Sequence, residues 1–66
     1  MKADAKLVAF GTGVLLKRLG LSRDYCSVLA ERVLSQDKST LSGSDLEARA
    51  MIDEGVEFFV RAFTDN

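Results

Sequence analysis

Between Ser44 and Phe63 the apolar residues recur at helical spacing and, at 100° per residue, close into one continuous arc. Met51, Ile52, Val56, Phe58, Phe59, Val60, Ala62 and Phe63 lie on it with Ala48 and Gly55. The arc spans roughly 200°, about twice the stripe of an ordinary surface helix. Glu47, Asp53, Glu54, Glu57 and Arg61 lie opposite, on a solvated face. Ser44 with Glu47 three residues later reads as a capping box, and Asp45 and Glu47 suit the positive end of a helix dipole, so a helix is predicted over 44–63. One neighbouring helix cannot cover so wide an arc. It requires two partners from within the chain or one from another chain; the competing reading is a self-contained core that places nearly every apolar residue internally.

A chain of 66 residues makes one domain, 1–66, with little interior. At this size only ~60% of the unfolded surface is buried, and such cores commonly rely on a disulfide, a metal or oligomerisation. Cys26 is the single cysteine and histidine is absent, so neither an internal disulfide nor a zinc site can be assembled. Oligomerisation is the remaining support, and a homodimer is expected. Cys26 falls on the apolar side of its segment and reads as a buried free thiol, which fits a reduced compartment, most simply the cytoplasm. Lys2 and Lys6 are separated by Asp4, and Gly11, Thr12 and Gly13 interrupt the following apolar run, so neither a signal peptide nor a membrane span is predicted. No cofactor, metal or small-molecule substrate is expected.

Net charge is −1 but unevenly spread. Residues 1–38 carry seven basic and four acidic side chains, and residues 39–66 carry two basic and six acidic. The N-terminal half can therefore meet an anion while the C-terminal helix faces elsewhere, although its excess is small beside that of dedicated nucleic-acid binders.

The first helix is predicted over 4–19. Val8, Leu15 and Leu19 line one side with Ala5 and Leu16, while Leu7, Phe10 and Val14 form a second stripe. The helix is either sandwiched between two layers or bent at Gly11 and Gly13, each of which costs about 1 kcal/mol relative to Ala in a helix interior. Sandwiching is the preferred reading, because Ala5, Ala9 and Gly13 recur every four positions and would admit a close neighbour. Gly20 after Lys17 and Arg18 marks the helix end. Ser22 caps a second helix over 22–35, with Leu21 and Cys26 at staple positions. Tyr25, Cys26, Leu29, Ala30, Val33 and Leu34 share its apolar face. Residues 36–43, rich in Ser, Thr and Gly, read as a flexible connection in which only Leu41 can dock on the core. The fold class is thus all-α, a small three-helix domain completed by homodimerisation.

Leu15, Leu19, Gly20, Leu21, Ser22, Cys26 and Leu29 stand at the spacing of a turn between two locked helices. On these positions the stretch 14–29 resembles the helix-turn-helix motif of DNA-binding regulators. The resemblance implies that the second helix enters the major groove, presenting Ser22, Arg23, Asp24, Ser27, Val28 and Glu31, with Lys17, Arg18, Ser22, Arg23, Ser27 and Arg32 as DNA contacts. Leu16 stands where that family places a small residue, and Asp24 and Glu31 bring negative charge to the face that would meet phosphates.

Catalysis is not expected. Asp53, Glu54 and Glu57 cluster on the polar face of the third helix, where solvated carboxylates belong, and Glu57 with Arg61 reads as a weak i,i+4 surface pair. The functional expectation is a small cytoplasmic regulator, adaptor or inhibitor that binds a protein partner or its own copy. Its interface would comprise Phe10, Val14, Met51, Ile52, Val56, Phe58, Phe59 and Phe63, with the aromatics as anchors. A helix-turn-helix transcriptional regulator is the alternative.

Overall fold

The computed structural model describes residues 3–64; Lys2 of the N-terminal reading lies outside them. Three helices, α1 (Ala5–Leu19), α2 (Arg23–Ser35) and α3 (Gly43–Thr64), enclose one core, with a 3-10 turn (Lys38–Thr40) between the last two. The all-α, three-helix expectation is correct. Helix α1 is continuous through Gly11–Gly13, and Asp4 caps it, its Oδ1 accepting from the Lys6 and Leu7 amides at 2.7 and 3.4 Å. Gly20 ends it with φ 68°, donating to the Leu16 carbonyl at 3.0 Å, a left-handed turn that only glycine makes without strain. Ser22 caps α2 as expected, its Oγ accepting from the Tyr25 amide at 3.2 Å.

The start of α3 differs from the predicted capping box. The helix begins at Gly43, with φ 58°, and among the described residues neither Ser44 nor Glu47 makes a side-chain capping bond. The chain arrives from a turn that needs a left-handed residue, so glycine takes the boundary. The connection 36–43 is organised as well. Asp37 caps the 3-10 turn, accepting from the Ser39 amide at 3.1 Å, and Leu41 docks on the core. Lys38 reaches Asp53 at 3.2 Å, while Arg49 bonds Asp53 at 3.2 Å and donates to the Val33 carbonyl at 3.0 Å, satisfying an orphan group at the end of α2.

Leu15, Cys26, Leu29, Ala30, Val33, Leu41, Ala48 and Ile52 form the buried core, with Val8, Leu16, Leu34, Met51 and Val56 packed around it. Helix α1 is sandwiched: one stripe meets α2 and the core, and the other meets α3. Helices α1 and α3 run in opposite senses, with Phe10 beside Phe59, Gly11 beside Ile52, and Arg18 reaching Glu54. The close approach is made by Gly11 and Gly55, not by the predicted Ala5, Ala9 and Gly13, which are exposed. A Cβ on Gly55 would stand 2.9 Å from Val14 Cγ2, and one on Gly11 3.0 Å from Ile52 Cδ1, whereas one on Gly13 meets nothing within 4 Å. Thr12, the middle of the Gly-Thr-Gly run, is buried and donates to the Val8 carbonyl at 2.7 Å.

Two alanine substitutions should therefore differ in sign. Gly13→Ala should raise stability by about 0.5–1 kcal/mol through helix propensity alone. Gly55→Ala should lower it, overpacking against β-branched Val14 at a typical cost of about 1–3 kcal/mol outweighing the same gain. Urea midpoints followed by circular dichroism measure both; a stabilised Gly55→Ala would mean the α1–α3 seam is looser than its geometry implies.

Candidate protein interface

Helix α3 has 22 residues against 13 in α2, about 33 Å against about 20 Å at 1.5 Å per residue. Its buried residues, Ala48 and Ile52, lie in its first half. From Glu57 onward every described residue is exposed. The apolar arc continues through that half without a core to face: Phe58 is 77% exposed, Phe63 69%, and Phe59 and Val60 51% each. Phe59 is steadied by Phe10, edge-to-face with centroids 5.7 Å apart, and lies 4.8 Å from Phe63. An open groove of about 580 Å³ runs between the two helices, lined by Asp4, Lys6, Leu7, Phe10, Val56 and Phe59. A second, of about 370 Å³, has Val14, Gly55 and Phe58 as its floor and Lys17, Arg18 and Glu54 as its rim.

Of the eight interface residues predicted, Phe58, Phe59 and Phe63 stand at the surface, and Phe10, Val14, Met51 and Val56 are half-buried beside them or at the core edge. Ile52 is a correction. It shares the arc, but at its level both α1 and α2 are present, and it is fully buried. Periodicity assigns a residue to a side of a helix but not to a height, and height decides here. Leu7 and Val60 belong to the exposed face although the prediction omitted them.

The basic residues expected on DNA are placed differently. Arg18 pairs with Glu54 at 3.1 Å and Arg32 with Asp45 at 2.9 Å, each tying a helix to α3. Lys17 and Arg23 are exposed and make no ion pair among the described residues, Ser22 is committed to its cap, and Ser27 is exposed with Asp24 and Glu31 on the same helix. The junction has the expected left-handed turn and buries Leu15, Cys26 and Leu29. Leu19 and Leu21, expected to lock the junction, and Tyr25, expected on the apolar face of the second helix, are exposed, and with Leu29, Ala48 and Met51 they line a groove of about 170 Å³. The first turns of α3, through Ser44, Glu47, Ala48 and Met51, form the opposite wall of that groove without closing it. Val28 and Leu46 are further exposed apolar residues.

Asp53, Glu54 and Glu57 each have a cationic partner, Glu57 bonding Arg61 at 3.1 Å as predicted. Among the described residues no grouping of three or more His, Cys, Asp or Glu could hold a metal ion. No helix among them is long and apolar enough to cross a membrane. No family model, curated protein or solved structure matches the chain.

Cys26, the chain's one thiol, has no exposed surface. It should resist a thiol-directed reagent such as DTNB in the folded protein and react at the rate of unfolding in denaturant. Stoichiometric native-state labelling within seconds would contradict the core described above.

Proposed function

We propose that this chain is a small, non-enzymatic, cytoplasmic interaction protein that regulates, bridges or inhibits by occupying a surface on another protein chain. The observation that carries the reading is the half-helix Glu57–Thr64, which contributes no buried residue yet holds three phenylalanines in the open. A contiguous exposed apolar patch is a costly feature that ordinary monomer surfaces avoid, and aromatic side chains beside apolar grooves are what partner surfaces select as anchors. The charge pattern supports this: on α3, Asp45, Asp53, Glu54 and Glu57 are matched by cations within the chain, so the recognition element that stands out on that helix is apolar.

Phe58→Asp and Phe63→Asp test it. Both side chains are largely exposed, so stability should change by no more than about 0.5 kcal/mol. Proteins retained from extract of the producing cells by the immobilised chain should be lost with either variant. Identical retention by all three proteins would overturn the reading.

A second reading, a helix-turn-helix DNA binder, is favoured by one observation, the left-handed Gly20 followed by the Ser22 cap. In it α3 serves only to dimerise, and of the basic residues the resemblance names, Lys17 and Arg23 make no ion pair among the described residues. Anisotropy titrations against mixed-sequence duplex DNA decide it. This reading requires affinity that falls steeply between about 50 and about 200 mM salt and that weakens in Arg23→Ala with oligomeric state unchanged. The interaction reading expects no binding at either salt concentration.

A further inference from the structure

We propose that the end of α3 and the adjoining edge of α1 form a seat for helix α2 of a second copy of this chain, in a head-to-tail contact. The inference rests on the reading of the aromatic face as the working surface.

The seat has an edge and a floor. At 100° per residue Lys6, Phe10, Gly13 and Lys17, spaced four, three and four apart, fall on one edge of α1. That edge shares both grooves with α3, since Lys6 and Phe10 line one with Phe59, and Lys17 lines the other with Gly55 and Phe58. From Gly55, where Val14 and Phe10 lie against it, α3 runs on to Thr64, about 14 Å at 1.5 Å per residue. Helices pack with their axes about 8–10 Å apart, so this length gives a floor for one more helix beside α1. Gly13 stands in the middle of the edge, where a Cβ would meet nothing within 4 Å. No contact within the chain accounts for a glycine there, and it lets a neighbouring helix come close.

Charge names the occupant. Lys6 and Lys17, at the two ends of the edge, are exposed and make no ion pair among the described residues. The carboxylates near them are committed, Asp4 to the amides of Lys6 and Leu7 and Glu54 to Arg18. A helix laid along this edge is therefore favoured when it carries acidic side chains on both sides of an apolar one. The outward face of α2 has that pattern: Asp24, Val28 and Glu31 recur four and three apart, on the side away from buried Cys26, Ala30 and Val33. Neither carboxylate has a cationic partner among the described residues, and Val28, at 63%, is the most exposed large apolar residue of α1 and α2. Seated on the edge, α2 sets Val28 toward Phe10 and Gly13, and Asp24 and Glu31 toward the two lysines. The carboxylates stand about 10 Å apart along their helix and the lysines about 16 Å along theirs, a difference that two flexible lysine stems can span. Helix α1 of a second copy would instead bring cations to cations, and on α3 Asp53, Glu54 and Glu57 already have partners. Because the contact joins two different faces, each copy offers one seat and one α2 face, and the assembly extends in a line or closes into a ring.

Sedimentation equilibrium of the full chain between about 1 and about 200 μM tests this. The expected result is a mean mass that rises above that of one chain as concentration increases. Two double variants break the contact from opposite sides, Lys6→Glu with Lys17→Glu in the seat, and Val28→Lys with Glu31→Lys on α2. All four side chains are exposed, so circular dichroism should show unchanged helicity. Each variant alone should associate at least about tenfold more weakly. Mixed in equal amounts the two should associate again, because every contact between opposite charges is then between one variant and the other. Phe63→Asp, at an exposed position of the floor, should weaken association independently. A single chain at every concentration overturns the proposal, as does association indifferent to Phe63→Asp or to either double variant, or a mixture of the two that stays unassociated. A dimer that pairs aromatic face with aromatic face is untouched by the α2 variant and so counts against it. The interaction reading fails separately: a single chain that still retains another protein through Phe58 and Phe63 leaves that reading standing with a different occupant, whereas one whose protein retention is indifferent to Phe58→Asp and Phe63→Asp removes both.

Discussion

The seam between α1 and α3 depends on two positions where no side chain stands. Gly11 lets Ile52 sink fully into the core, and Gly55 lets Val14 and Phe10 lie against the α3 backbone. With the two helices held that close, α2 can reach both, and a chain of this length assembles a dry centre from eight residues. The same seam leaves α3 running on past the end of α2. The exposed phenylalanines follow from that overhang.

The ion pairs have a consistent place in this arrangement. Arg18–Glu54 bridges α1 to α3, Arg32–Asp45 bridges α2 to α3, and Lys38–Asp53 fixes the short turn. Each is exposed and worth little alone. Their effect is to consume cations that the sequence offers to an external anion. The uneven charge of the two halves, read along the chain as a basic region and an acidic one, becomes in three dimensions partly a set of matches between helices.

Most local features were legible in the sequence because their causes are local. Helix ends at Gly20 and Ser22, the burial of Cys26, the docking of Leu41 and the Glu57–Arg61 pair each depend on a few neighbouring residues. The misread features depend on distance. Gly13 and Gly55 look alike in sequence, and only the passage of Val14 distinguishes them. Ile52 and Phe63 share one side of a helix, but only Ile52 has α2 opposite it. Leu19 and Leu21 carry the pattern of a locked junction, yet they face a groove toward α3 that stays open, and no periodicity records how far away a neighbour stands. Arg18 and Arg32 were read as free for the same reason, their partners lying 36 and 13 residues away.

The overhang also divides α3 by motion. Backbone hydrogen bonds around Ala48 and Ile52 can break only when the core opens, whereas those after Glu57 lie among exposed residues and open by fraying, at a small fraction of that free energy. A partner seated on the aromatic turns would have to hold them in place, so part of its binding free energy goes into ordering them. The end of α3 is thus where association would be felt first as stillness: amide hydrogens that exchange quickly in the free chain would slow toward the rate of the core once the face is covered.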